Sequence, residues 1–288
     1  MKGKTRLTIY LRTIKKHFIQ GMRVKKLRLK WALPFQFTNI LLGVLSYIYY
    51  AQTFGAKSPF LKPYGGNFLA YILIGMVVNS LLVSTMRAPS SKVMRLFMSG
   101  MSSGRQTISL MDHIMLSGDP MSAVIIGQIL DSWVDEVVTI VIYLVAGYLL
   151  GFKLEYNANY LLAIIAVILG VLASLGIGFI SASLVFIIGP WRGIDPMLWI
   201  VSTLGGVFSG VYFPIEVIPE NIRFISYLLP QTYVLEVCRD ALLRRVGFFE
   251  PIYPLTVLLI YTIILLSAGV FFLRKALVFL RKNPIPGL

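Results

Sequence analysis

"SGVYFPIEVIPENIRFISYLLPQTYVLE", residues 209–236, is apolar over most of its length, yet it holds Glu216, Glu220, Glu236, Arg223 and the prolines Pro214, Pro219 and Pro230. A helix that simply crossed a bilayer could not carry this content cheaply, because each charge in hydrocarbon costs several kcal/mol and each proline removes a backbone donor. Pro214 and Pro219 close the turn "PIEVIP", and Pro230 separates the helical patterns "ENIRFISYLL" and "QTYVLEVCRDALLRRV". A ten-residue helix reaches only ~15 Å, about half the hydrocarbon thickness. The stretch is therefore predicted to be a re-entrant helical hairpin on the outer face, its polar sides against protein or water. Tyr233 lies in its second arm, which also offers Asp240 and Arg244 as an i,i+4 pair.

Outward from this stretch, the chain reads as a membrane protein. Its 288 residues are 57% hydrophobic and 14% charged, with mean hydropathy +0.79, whereas soluble domains run near a quarter charged. Apolar segments near 33–51, 68–86, 121–150, 159–188, 197–213 and 254–273 are long enough to predict six transmembrane helices. On that arrangement 20 of the 27 Lys and Arg fall on the side of the two termini and 7 on the other. The positive-inside rule then puts both termini in the cytoplasm of a multi-pass protein of the plasma or inner membrane. The segments at 121–150 and 159–188 exceed what the hydrocarbon core needs, so their inner ends are expected to protrude.

The net charge of +15 raises the question of nucleic acid, but eleven of the bases precede the first apolar span. That distribution suits an anionic membrane surface and excludes a nucleic-acid groove. Within residues 1–32, Leu7, Tyr10, Leu11, Ile14 and Phe18 recur at helical spacing among bases, which predicts an amphipathic helix lying on membrane lipid, followed by a transmembrane domain over 33–288. No signal peptide is readable there. "KGKT", residues 2–5, lacks the upstream glycine and strand of a phosphate-cradling loop. Cys238 is the sole cysteine, so no intrachain disulfide forms.

Four groups of residues are candidates for a functional role. Asp131, Asp135 and Glu136 are the acids of the third span, with Asp131 and Asp135 on one helical face. They read either as a proton or cation path, the mark of an ion-gradient-driven carrier or channel, or as inner-interface acids paired with bases. Asp112 and His113 in "MDHIM" are adjacent, but His17 is the only other histidine, so neither a metal site nor a catalytic constellation is expected. Gly205, Gly206 and Gly210 in "GGVFSG" permit close helix approach. Tyr47–Tyr50, Tyr64 and Tyr71 read as an interfacial belt or a substrate wall.

The stretch "SGVYFPIEVIPENIRFISYLLPQTYVLEVCRDALL" resembles the signature of the ABC-2 type family of ABC transporter permeases: a glycine-rich span end, Phe-Pro, Ile-Pro, then Leu-Pro followed by Tyr and Glu. The resemblance implies an exporter's transmembrane subunit that dimerises with a second permease subunit and docks separate ATP-binding subunits. ATP and Mg would be held by that partner, with no cofactor and no catalysis in this chain, and the cargo would be a lipid, lipid-linked glycan or drug-like amphiphile. It further implies a coupling helix within "TISLMDHIMLSGDPMSAVIIGQIL", residues 107–130, with Thr107, Leu110, Met111, Asp112, His113 and Pro120 toward the ATPase. Phe208, Tyr212 and Phe213 would form a gate above the dimer axis. The chain departs from the family at residues 104–109, where "GRQTIS" replaces an acidic run.

Overall fold

The computed structural model describes residues 2–54, 64, 67–98, 110–152, 158–188, 196–244, 246–247 and 249–282. Among them there is no strand. The helices are α1 (Lys2–Phe54), α2 (Phe68–Met98), α3 (Leu110–Ser117), α4 (Met121–Leu149), α5 (Tyr160–Ile188), α6 (Pro196–Phe208), α7 (Glu220–Tyr227), α8 (Pro230–Arg239) and α9 (Ile252–Lys282). A 3-10 turn at Ile215–Val217 precedes α7, and a π-turn at Asp240–Arg244 continues α8.

Among the described residues, four helices are long and apolar enough to cross a membrane: Trp31–Tyr49 within α1, and α2, α5 and Ile252–Leu280 of α9. Their outward faces carry Trp31, Phe35, Ile164, Ile263, Ile264 and Phe271, each more than half exposed. So much apolar surface requires an apolar solvent. The fold is that of an all-α, multi-pass membrane protein. The other two expected spans differ from these four: α4 carries three acids, and α6 has 13 residues, or ~20 Å of helix.

The most apolar helix, α5, is also the central one, packed against α9, α2 and α8. Lipid gives apolar helices no hydrophobic reason to associate, so close approach at small residues does that work. On α5, Gly176 meets Gly269 of α9 so closely that a Cβ on Gly269 would lie 2.8 Å from the Gly176 Cα. At one end of the molecule Leu96, Phe97, Ile114, Ile125, Phe186 and Leu280 form a core beneath α3. At the other, Leu162, Val211, Tyr233, Val234 and Leu258 form a core around α8. Because α2 joins the two ends, α3 and the α7–α8 pair lie at opposite ends of the helix bundle.

No break separates residues 2–32 from the first apolar segment. Helix α1 runs through both, with Pro34 inside it. Its N-terminal part turns Thr13 and His17 toward α4, both under one-tenth exposed, while Leu7 and Leu11 stay more than half exposed. The apolar stripe read from the sequence is thus partly left outside the protein.

Candidate functional site

The acids of α4 divide into two environments. Asp131 is buried beside the buried Lys92 of α2, with the Lys92 Nζ 3.1 Å from Asp131 Oδ2. Lys25 of α1 reaches both Asp131 Oδ1 at 2.9 Å and Asp135 Oδ2 at 2.7 Å, and it also donates to the Asp131 backbone carbonyl. Two carboxylates therefore meet two ammonium groups, which offsets much of the cost of taking Asp131, Lys92 and Lys25 out of water, while Asp135 stays exposed. Of the two readings for Asp131 and Asp135, pairing with bases matches this geometry. Glu136 differs. It is 5% exposed, accepts a 2.6 Å hydrogen bond from the Ser80 hydroxyl, and makes no ion pair among the described residues. It faces an open cleft of about 320 Å³ between α2, α4 and Tyr212.

Near the start of α4, Asp119 accepts hydrogen bonds from Lys16 (3.1 Å) and Thr13 (3.3 Å). Desolvation raises the Asp119 pKa, but these bonds and the Lys16 charge outweigh it and hold the carboxyl below its ordinary value. Burial, with Lys16 beside it, holds the His17 imidazole below its ordinary value against the pull of Asp119. These contacts tie α1 to the α3–α4 corner.

In α3, Leu110 is half-buried against the core, Ile114 is buried, and His113 and Leu116 are exposed, Leu116 by 78%. Pro120 immediately precedes α4, and a Cβ on Gly127 would lie 2.7 Å from the Ile14 carbonyl oxygen. Thr107 and the side chains of Met111 and Asp112 lie outside the described residues. Of the six expected docking residues, the structure thus offers His113 as a free surface group. Leu116, not singled out from the sequence, is the apolar group beside it.

The end of α6 packs inward. A Cβ on Gly205 would clash with the Gln231 side chain of α8, whereas Gly206 faces open space. Gly210 takes φ +82°, a left-handed conformation suited to glycine. Tyr212 stacks on Tyr47 of α1, ring centroids 4.6 Å apart, and Phe208 and Phe213 are half-buried.

The most constrained group here went unread in the sequence. Arg239, 3% exposed, donates from one terminal nitrogen to Gly210 O (2.7 Å) and the Tyr71 hydroxyl (2.8 Å), and from the other to Val211 O (2.8 Å). Its guanidinium lies 3.5 Å from the centroid of the Tyr71 ring. A planar fork of donors suits several fixed acceptors better than an ammonium does. Arg239 so fastens α8 to the start of α2 and to the chain leaving α6, and Tyr71, read as a belt residue, is its buried partner.

Around that clamp, Pro214 and Pro219 bracket the 3-10 turn, and Pro230 starts α8. Arg223 donates to the carbonyls of Glu216 (2.9 Å) and Ile218 (2.9 Å). The Tyr233 hydroxyl donates to Tyr227 O at 3.0 Å, and Arg244 pairs with Asp240 at 3.0 Å, as the i,i+4 spacing predicts. Glu216 and Glu220 are exposed and Glu236 is half-buried. A scan of protein-family models finds no match to the chain, and a search of curated proteins likewise finds none.

Proposed function

We propose that this chain is the transmembrane permease subunit of an ATP-driven exporter, working as a dimer with separate ATP-binding subunits. The observation that carries the reading is the division of the molecule into two unlike ends: a short helix, α3, with exposed His113 and Leu116 at one, and the broken α7–α8 pair clamped by Arg239 at the other. On this reading α4, and α6 with the residues up to Phe213, complete six crossings, and α7–α8 forms a re-entrant hairpin at the outer surface. The basic leader and the bases of the α9 end accompany α3, which the positive-inside rule assigns to the cytoplasm. ATP binding closes the partner subunits, and α3 transmits that closure through the core it shares with α2, α4 and α9. The ion pairs of Asp131 and Asp135 count against a gradient-driven path through those two residues.

The test is isolation of the tagged chain from its native membranes in mild detergent, with ATP hydrolysis measured on the product. Co-isolated, stoichiometric ATP hydrolysis is expected, and Leu116→Asp is expected to remove it, since an aspartate placed in an apolar docking groove is costly to desolvate. A well-folded chain without ATPase activity, or full activity in Leu116→Asp, would overturn the reading.

A further inference from the structure

We propose that the cleft between α2 and α4 binds the zwitterionic, amine-bearing headgroup of an amphiphile, with the ammonium at Glu136 and the anionic group at Arg87. The inference rests on the exporter reading and deepens it by naming the substrate class of the membrane path. Asn79, Ser80 and Arg87 lie in its α2 wall, Glu136 and Tyr143 in its α4 wall, and Tyr212 closes one side.

Charge balance is the first argument. Asp135 and Asp131, on the same helix, are matched by Lys25 and Lys92, but Glu136, as buried as Asp131, has among the described residues only the Ser80 hydroxyl. An uncompensated carboxylate in the low-dielectric part of a membrane protein is expensive, and such a group is by default functional. A ligand cation would supply the missing charge.

Acceptors and aromatics are the second argument. The Asn79 Oδ1 atom is buried without a hydrogen-bond partner among the described residues, so the cleft that Glu136 lines holds a second acceptor. Two acceptors with two tyrosines in the wall suit an ammonium, which donates three hydrogen bonds and is attracted to aromatic faces. Arg87, in the same wall, forms no ion pair among the described residues and donates only to the Ser202 hydroxyl at 3.3 Å. A purely cationic ligand would meet its repulsion; a zwitterion uses both charges.

Size is the third. A volume of about 320 Å³ lies at the small end of ligand pockets, enough for a headgroup and not for acyl chains. The chains stay in the bilayer, reached through the open side. Helical rise puts Arg87 about 12 Å along α2 from Asn79, toward the α3 end, where a headgroup enters from the inner leaflet.

The test uses the purified full chain in nonionic detergent, with no ATPase present, so that headgroup binding and ATPase coupling fail independently. Four probes are titrated calorimetrically: dihexanoyl phosphatidylethanolamine, glycerophosphoethanolamine, dihexanoyl phosphatidylglycerol and an alkyl glucoside. Saturable binding of the phosphatidylethanolamine is expected, weakened about tenfold or more by Glu136→Gln and several-fold by Arg87→Gln. Binding of glycerophosphoethanolamine as tight as that of the lipid would support the zwitterion site and assign it to a soluble ligand; weaker binding assigns it to the lipid. Asn79→Leu, which removes an acceptor without stranding a charge, should weaken binding even where Glu136→Gln fails to fold. Equal binding of the phosphatidylglycerol or the glucoside, no saturable binding of any probe, or binding unaffected by Asn79→Leu and Arg87→Gln would overturn the proposal.

Discussion

At the scale of single residues, charges removed from water hold the fold together. Arg239 holds two backbone carbonyls and a phenol that its lysine analogue cannot all reach, and each hydrogen bond from a charged donor is worth about 1.5–3 kcal/mol. Arg239→Lys is expected to lower stability by roughly 3 kcal/mol, read as thermal unfolding in detergent, with Gly75→Ala also destabilising because its Cβ would meet the same guanidinium. Gly206→Ala, facing open space, should change nothing. Asp131→Asn strands Lys92 and should cost about 3 kcal/mol or somewhat less, since Lys25 keeps Asp135. His17 adds a pH dependence. Its folded-state pKa is lowered, so the unfolded chain binds the proton more readily and stability falls as pH drops below ~6.5. His17→Gln should flatten that acid limb in unfolding curves, and an unchanged limb would remove His17 from the account.

These residues also mark what the sequence could and could not disclose. Asp240 and Arg244 are four apart on one helix, and their pairing is legible from spacing alone. The partners of Asp131 are 39 and 106 positions away, and no local pattern encodes them. Arg239 is harder still, since its acceptors are main-chain carbonyls, which every residue has. The face of Glu136 was legible only in part: its place among three acids drew notice, while its isolation from their bases depends on how α1 and α2 pack.

At the scale of elements, prolines and glycines carry the reading. Pro219 and Pro230 delimit α7 as the sequence predicts, but α8 is far more buried than an amphipathic arm would be, packed among α2, α5 and α9. Gly205 was expected to mediate helix approach and does so toward α8, whereas the backbone-to-backbone approach of Gly176 and Gly269 lies in helices whose uniform apolarity hides any interacting face. A Cβ at Gly176 would strike the Leu265 backbone. Gly176→Leu is therefore expected to separate α5 from α9 and abolish recovery of folded protein by size-exclusion chromatography, while Gly206→Leu is recovered normally. Equal recovery of the two would show that this contact does not hold the bundle together.

At the scale of the whole molecule, the central claim is that two unlike ends face opposite sides of one membrane, the docking helix in the cytoplasm and the broken helices outside. Length and hydropathy made the membrane legible, and the run of bases before the first span made its sidedness arguable. Cells expressing Asn221→Cys or Leu116→Cys in a Cys238→Ala background, treated with a membrane-impermeant thiol reagent, measure the claim directly, because both positions are exposed in the fold. Modification of Asn221→Cys in intact cells, with Leu116→Cys modified only after permeabilisation, is the result expected. Modification of Leu116→Cys from outside, or of both positions from one side, would contradict it.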